Sequence, residues 1–158
     1  MDIRDFNKIV IVSLCDRFSK NLGKKLSQNL GMIFCDTKEL IEYELIDKKA
    51  IKKLCTKEYL DKLEKSVFAH IASFENVVVA IGYDYFVHNI NILKEKSLIV
   101  FVDLPKKYVK EKSNIVEFLA YDDRKEILKK MATLTVSVRN TETDFVCRKV
   151  LNELGGLL

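Results

Sequence analysis

Apolar and polar residues alternate along this chain in two patterns, short continuous apolar runs and longer segments with apolar residues every three or four positions. The continuous runs are rich in β-branched residues and occupy residues 9–12, 33–35, 77–81, 98–102 and 134–138. Such runs are typical of parallel strands that are covered on both faces. The pattern therefore predicts five strands.

The second pattern predicts helices between these strands. Helical spacing of apolar residues covers residues 22–30, 59–74 and 143–154. Gly31 favours the end of the first helix, Gly155 the end of the last, and the Thr141-x-x-Asp144 arrangement a cap for the last. Strands that alternate with helices predict an α/β fold, with helices on both faces of a five-stranded parallel sheet in three αβα layers.

Length and composition predict a single domain over residues 1–158. The chain is 48% hydrophobic, has one proline, Pro105, and contains no linker-like tract. The longest apolar runs, of about five residues, are far shorter than a membrane span needs. The N-terminal residues 1–5 contain no apolar signal core. We therefore expect a cytoplasmic protein without a membrane partner.

The charge pattern argues against a nucleic-acid-binding protein, and the cysteine spacing argues against a structural zinc site. The net charge is +4, and the 27 basic residues are interspersed with 23 acidic ones. The sequence therefore lacks the basic stripe that would predict nucleic-acid binding. The four cysteines, Cys15, Cys35, Cys55 and Cys147, form no C-x-x-C pair. This spacing is unlike that of a structural zinc site and fits reduced thiols.

The first strand is followed by a segment with the length of a phosphate-binding loop but different residues. Such a loop reads G-x-x-x-x-G-K-[ST], because glycines let backbone N–H groups surround the phosphates, lysine meets their charge and the hydroxyl binds Mg²⁺. The corresponding positions here are Ser13, Phe18, Ser19 and Lys20. The strand-loop-helix pattern is present without the residues that hold phosphate.

The order of these elements, together with the sequence GMIFCDTKELIE at residues 31–42, resembles the shikimate kinase family. That family reads LG-x-x-F-x-D-x-D-x-x-I-E here. The similarity continues through the strands at 77–81 and 98–102 to the sequence ATLTVSV at 132–138, with one shortened region between residues 110 and 122. The resemblance implies a P-loop kinase fold and the ATP- and Mg²⁺-dependent phosphorylation of shikimate in aromatic amino-acid biosynthesis.

On the nucleotide side, the resemblance places Ser19 at the family's phosphate-binding lysine and Lys20 at its Mg²⁺-binding hydroxyl. Asp16 replaces a loop glycine and brings a carboxylate toward the phosphates. Two like charges about 4 Å apart cost roughly 4 kcal/mol at an effective dielectric of 20, about a thousandfold in affinity. Phe18 lacks the backbone freedom of the family's glycine. We therefore expect that ATP is not held in the usual way.

The acceptor side, by the same resemblance, keeps few of the family's residues. Asp36 matches the carboxylate that assists Mg²⁺ binding, whereas Lys38 replaces the second carboxylate of the D-x-D motif, and Asp61 aligns with a substrate arginine. Gly82 is the one glycine left of a triple-glycine turn. Arg124 aligns with an arginine that contacts the shikimate carboxylate, so Arg124 and Gly82 are the remaining substrate-side candidates.

The favoured hypothesis is a non-catalytic shikimate kinase-like protein that acts through protein binding or weak anion binding. It assigns no catalytic residue and expects no cofactor. A helix N-terminus near Ser19 and Lys20, with Arg17, predicts an anion site. Its expected protein partner is another enzyme of the same pathway or a second copy of the chain.

Two alternatives stay open. In the first, the chain is an ATP-dependent shikimate kinase in which Lys20 takes the role of the missing lysine and Asp36 holds Mg²⁺. In the second, it is a metabolite sensor that binds a small anion through Arg17, Lys20 and Arg124. The sensor differs from the favoured hypothesis by binding a ligand without turnover, and co-purifying small molecules would separate these two.

Other candidate residues have weaker signals. His70 and His88 have no partner at ligand or triad spacing, so structural or surface roles are favoured. Cys15 is interpreted as a filler of the former loop rather than a reactive thiol. For the cluster of Tyr83, Tyr85 and Phe86, ordinary packing in a loop and a role in covering the cleft or forming an interface are equally open.

Overall fold

The computed structural model describes residues 6–47 and 56–156, so Cys55 lies outside the described residues. It confirms the predicted five-stranded parallel sheet, which has the order β2-β3-β1-β4-β5. The strands are β1 (Lys8–Val12), β2 (Ile33–Asp36), β3 (Val77–Ile81), β4 (Ser97–Asp103) and β5 (Leu134–Ser137). The helices are α1 (Asp16–Leu30), α2 (Thr37–Asp47), α3 (Lys57–Ser73), α4 (Tyr83–Leu93), α5 (Lys106–Lys112), α6 (Ile115–Leu119), α7 (Tyr121–Met131) and α8 (Thr143–Gly155). None of the helices in these two ranges is both long and apolar enough to cross a membrane.

The central strands are buried on both faces, as their continuous apolar runs predict. In β1, Ile9 and Ile11 face one hydrophobic cluster, whereas Val10 and Val12 face the other. Side chains alternate in direction along a strand, so one run of apolar residues supplies both clusters.

Two helical layers cover the sheet. On one face, α1 contributes Phe18, Leu22 and Leu26, and α8 contributes Val146 and Val150. On the other face, the helices that cover the strands are mainly α3, α4 and α7, and Ile71, Phe86 and Leu128 are fully buried examples of the residues that they contribute. The predicted αβα layering is therefore confirmed.

The helix boundaries confirm some predictions and correct others. Gly31 ends α1 with a left-handed φ of 66°, a conformation that favours glycine. The helix predicted at 59–74 instead begins at Lys57. The Thr141 cap is wrong, because the N-cap of α8 is Glu142, which makes no side-chain capping bond. Helix α4, which the sequence analysis did not predict, covers the segment interpreted as a possible loop.

One buried cation joins the sheet to α3. Lys8 is 2% exposed, and its Nζ donates hydrogen bonds to the carbonyl oxygens of Ala72 at 2.9 Å and Phe74 at 3.0 Å. Burial lowers the pKa of Lys8 below its usual range. The ammonium binds carbonyls at the C-terminal end of a helix, where the helix dipole favours positive charge.

Candidate functional site

A cleft of about 570 Å³ opens at the carboxyl ends of β1 and β3. It is formed by the loop after β1, the first turn of α1, the first residues of α4, and residues from α5, α6 and α7. Ligands of open parallel sheets bind at this end of the strands, where neighbouring connections diverge. We call this depression the cleft.

The cleft contains equal numbers of basic and acidic side chains. The basic residues are Arg17, Lys38, Lys112 and Arg124, and the acidic ones are Asp16, Glu64, Asp84 and Glu117. Within the described ranges, none of these eight groups forms an ion pair at 4.0 Å or less. As far as residues 6–47 and 56–156 show, the cleft therefore presents charges of both signs that are not joined in close ion pairs.

The segment in the position of a phosphate loop is short and leads directly into α1. Cys15 is the N-cap, α1 begins at Asp16, and the backbone N–H of Ser19 donates to the Cys15 carbonyl at 3.1 Å. The prediction of a helix N-terminus near Ser19 and Lys20 is therefore wrong. Without the loop glycines, residues 16–18 continue the helix, so the Ser19 amide is not free to bind an anion.

The same segment is closed by a hydroxyl network. The Oγ atoms of Ser13 and Ser19 are 2.6 Å apart and buried, and the Ser13 hydroxyl donates to the Cys15 carbonyl at 2.9 Å. The Cys15 N–H donates to the Ser13 Oγ at 3.2 Å. Ser19, which stands at the family's lysine position, is a structural hydroxyl here and does not line the cleft.

Lys20 points away from the cleft toward the start of α2. Its Nζ donates to the Glu39 carboxylate and lies 3.9 Å from Asp36 Oδ2. The hydrogen bond raises the pKa of Lys20 and lowers that of Glu39. Lys20 and Asp36 line a neighbouring depression of about 540 Å³, which shares Arg17 with the cleft.

Asp36, the Mg²⁺ candidate, has surroundings that do not fit the ion. The Lys20 ammonium already places a positive charge 3.9 Å from Asp36 Oδ2, and one Asp36 oxygen accepts the Lys38 backbone N–H at 3.3 Å. Burial, followed by the nearby Glu39 charge, raises the pKa of Asp36. Over residues 6–47 and 56–156, no group of three or more His, Cys, Asp or Glu side chains could hold a metal ion. One carboxylate can hold Mg²⁺ when water and phosphate oxygens complete the octahedron, so the feature that opposes the ion here is the Lys20 ammonium beside Asp36.

The carboxylate of Asp16 lies against Gly82. A Cβ atom built on Gly82 would be 3.0 Å from Asp16 Oδ2, so the small residue makes room for the carboxylate. Burial raises the pKa of Asp16, and Lys38 partly opposes this effect. The position that the family fills with a loop glycine thus supplies a negative charge to the cleft.

Arg124 and Gly82 line the cleft together with Arg17. The Arg124 guanidinium carbon lies 4.6 Å from the Tyr83 ring centroid, a cation–π contact that fixes the side chain. Tyr83 belongs to α4, so the interpretation of this segment as a loop is wrong. Phe86 is fully buried and Tyr85 packs beside Phe68.

The remaining candidates divide between cleft and surface. His88 and Cys15 line the cleft, whereas His70 and Asp61 lie exposed on α3 and are not among the lining residues of the cleft. Sequence reasoning missed Lys112 as a cleft residue. It lies in a run of lysines on α5 whose individual directions the sequence does not reveal.

Solved structures with this fold include shikimate kinases. The enzyme from Aquifex aeolicus is 22% identical, with a TM-score of 0.75 over 94% of this chain and 96% of that one. The enzyme from Acinetobacter baumannii, solved in complex with shikimate, is 16% identical, with a TM-score of 0.74 over 96% and 94%. The enzyme from Bacteroides thetaiotaomicron is 16% identical, with a TM-score of 0.73 over 96% and 97%. At these identities the similarity shows the fold alone.

A family model supplies the stronger assignment. The model described as shikimate kinase matches residues 20–155, a match that begins at Lys20, the last residue of the loop segment. No curated protein matches the chain at a significant level. Because the model covers most of the sequence, this chain belongs to the shikimate kinase family, a family of small-molecule kinases.

Proposed function

We propose that the chain is a non-catalytic member of this family that binds a small anion in the cleft without transferring phosphate. The observation that carries the proposal is the closed loop segment, in which Ser19 uses both its amide and its hydroxyl in bonds to Cys15 and Ser13. Phosphoryl transfer depends on positioned cations and backbone donors around the phosphates. In this chain a serine stands at the lysine position, and its amide and hydroxyl are engaged within the protein.

The charges of the cleft support binding of an anion at the acceptor side. Arg17, Lys112 and Arg124 all line the cleft, and the Tyr83 ring holds Arg124 in place. An arginine recognises carboxylate and phosphate groups through paired N–H donors. The Asp16 carboxylate, which lines the same cleft, disfavours a polyphosphate, which carries several negative charges.

A second candidate function is shikimate phosphorylation through a remodelled loop. Its support is the shared position of Arg124 and Gly82 in the cleft, because the family resemblance assigns these two residues to the acceptor. It requires Lys20 to leave Glu39 and Asp36 and to reach the phosphates.

Calorimetric titration distinguishes the two functions. The purified protein is titrated with shikimate, with inorganic phosphate and with Mg²⁺-ATP, and ADP release is followed in the presence of shikimate. We expect binding of shikimate or phosphate, no heat from Mg²⁺-ATP at millimolar concentration and no ADP. Arg124→Ala should weaken anion binding at least fivefold, whereas Arg148→Ala, at an exposed position on α8, is the matched control.

The outcome that contradicts the proposal is saturable, shikimate-dependent ADP release that Lys20→Ala abolishes. That result would establish the second function and give Lys20 a catalytic role. Failure of every anion to bind, with no turnover, would also reject the anion site and leave the surface of the protein as the place of its activity.

A further inference from the structure

The wall of the cleft contains two tyrosine rings at the start of α4. Tyr83 and Tyr85 both line the cleft and are partly buried. Arg124 lies over the Tyr83 ring, with its guanidinium carbon 4.6 Å from the ring centroid. One positive group of the cleft therefore has a fixed place beside the first ring. We call Arg124 and Tyr83 the basic pole.

The surroundings of the second ring, Tyr85, have the opposite charge. This ring packs beside Phe68 with centroids 6.0 Å apart, which holds it at the wall of the cleft. Burial raises the pKa of the Tyr85 hydroxyl, and nearby carboxylates raise it further. Three of these carboxylates line the cleft and come from α1, α3 and α4, namely Asp16, Glu64 and Asp84. We call Tyr85 and these three carboxylates the acidic pole.

The carboxylates of the acidic pole are available to a ligand. Within the described ranges, none of the three forms an ion pair at 4.0 Å or less. Burial, together with the charges of Glu117 and Asp84, keeps the pKa of Asp16 raised against the opposing effect of Lys38. Like charges that share a site destabilise one another's ionised form. A positive group of a ligand would relieve this repulsion.

The two poles adjoin. Asp84 follows Tyr83 directly in the first turn of α4. Burial raises the pKa of the Tyr83 hydroxyl, Arg124 lowers it and Asp84 raises it, so both charges act on the same ring. A single small ligand can therefore reach both poles. The cleft, at about 570 Å³, has the size of a small-molecule site.

We infer that the anion bound in the cleft is a zwitterion, a small molecule that carries an ammonium group as well as a carboxylate or phosphate group. The inference rests on the proposed function, because it starts from an anion site at Arg124. The guanidinium pairs with the anionic group through parallel N–H donors. The ammonium lies against the Tyr85 ring and among the carboxylates, and an aromatic face attracts a cation in the same way as negative charge does.

A zwitterion fits the cleft better than a simple anion does. Basic and acidic side chains line the cleft in equal number, so a simple anion loses to the carboxylates part of the attraction that it gains from Arg124. A zwitterion gains from both poles. Replacing its ammonium by a hydroxyl should cost about tenfold in affinity, the size of one hydrogen bond to a charged group.

Matched pairs of ligands test the inference by calorimetric titration at pH 7. Each pair differs only in an ammonium or a hydroxyl group: alanine and lactate, γ-aminobutyrate and γ-hydroxybutyrate, phosphoethanolamine and ethylene glycol phosphate. We expect the ammonium member of at least one pair to bind about tenfold more tightly than its partner. Arg124→Ala should weaken both members of that pair at least fivefold.

Substitutions in the acidic pole give the decisive result. The double variant Glu64→Gln, Asp84→Asn should reduce the preference for the ammonium member to below about threefold. Asp61→Asn, at an exposed position on the same helix as Glu64, is the control that should keep the full preference. The ratio of affinities within a pair does not depend on the fraction of folded protein, so a destabilised variant still gives a valid answer.

The outcomes separate this inference from the proposed function. If shikimate or phosphate binds but no ammonium member binds more tightly than its partner, the zwitterion is wrong and the anion site remains. A preference that survives the double variant would also overturn the inference, because the ammonium would then lie outside the acidic pole. If none of these anions binds, the anion site itself is rejected, and the inference is rejected with it.

Discussion

The two sides of the cleft differ in whether their polar groups bond to other groups of the protein or face the cleft. On the loop side, Ser13, Ser19 and Lys20 bond to other groups of the protein, and the first turn of α1 occupies the space of a phosphate loop. On the acceptor side, Arg124 lines the cleft without an ion pair among the described residues. A fold can therefore be kept while the polar groups on one side of a cleft form hydrogen bonds within the protein.

The largest expected effect comes from restoring a family residue on the loop side. Phe18 stands at a glycine position of the phosphate loop, is 3% exposed and packs edge-on against Tyr108 with ring centroids 6.0 Å apart. Phe18→Gly should lower the free energy of unfolding by about 4–6 kcal/mol, because it removes a buried aromatic ring and adds glycine to a helix. Denaturant unfolding measures the change.

Phe145→Gly on α8 is the matched control for this substitution. Its ring is 41% exposed, so the loss should be about 1–2 kcal/mol, mostly from helix propensity. A loss below about 1 kcal/mol for Phe18→Gly would mean that the loop segment is not part of the core, and the contrast between the two sides of the cleft would be lost.

A smaller effect is expected when the hydroxyl network is opened. Ser13→Ala removes the 2.6 Å contact with the Ser19 hydroxyl and leaves that buried group with only a 3.4 Å contact to the Cys15 carbonyl. The free energy of unfolding should fall by about 1–3 kcal/mol, the usual cost of an incompletely satisfied buried polar group. Thermal and denaturant unfolding both report the change.

Ser73→Ala removes an exposed hydroxyl that donates to the His70 carbonyl, and its cost should stay within about 0.5 kcal/mol. Equal losses for Ser13→Ala and Ser73→Ala would contradict the closed-loop interpretation, since the loop hydroxyl would then behave like a surface group.

The order of strands and helices could be predicted from the sequence because the patterns that determine each element are local. The continuous apolar run of β3 and the glycine after α1 each determine a piece of structure without help from distant residues. The start of α1 was mispredicted because the motif fixed the expected register, whereas Asp16 and its neighbours are free to form a helical turn once the loop glycines are absent.

The set of residues that lines the cleft depends on tertiary structure, so it cannot be predicted from spacing along the sequence. Arg17, Lys112 and Arg124 come from three separate helices and meet only when the sheet is assembled. The resemblance indicated Arg124 as a cleft residue. The family's glycine turn favoured a loop where α4 lies, although Phe86 and Leu93 have helical spacing on the buried side of α4. Family alignment therefore located the site better than it described the local backbone.

The smallest expected effect concerns Asp16, whose carboxylate lies between the two sides of the cleft against Gly82. Burial raises its pKa in the folded protein above the ordinary value of 3.8, so the folded state binds the proton more tightly than the unfolded state. The unfavourable contribution of the ionised group is absent below pH 3.8 and grows as the pH rises through the folded pKa. Asp16→Asn should therefore stabilise the protein at pH 7, by less than about 1 kcal/mol, because the carboxylate packs against Gly82 while part of the residue still meets solvent.

This gain should shrink as the pH falls from 7 toward 4, since the unchanged protein then carries a protonated carboxyl at this position as well. Urea unfolding of both proteins at several pH values measures the difference, with Asp61→Asn, at an exposed position on α3, as the control. A gain that is independent of pH would assign the effect to packing against Gly82 rather than to charge. The negative charge that we invoke against polyphosphates would then have no measurable cost to the fold, and Mg²⁺-ATP binding by Asp16→Asn would have to decide its role.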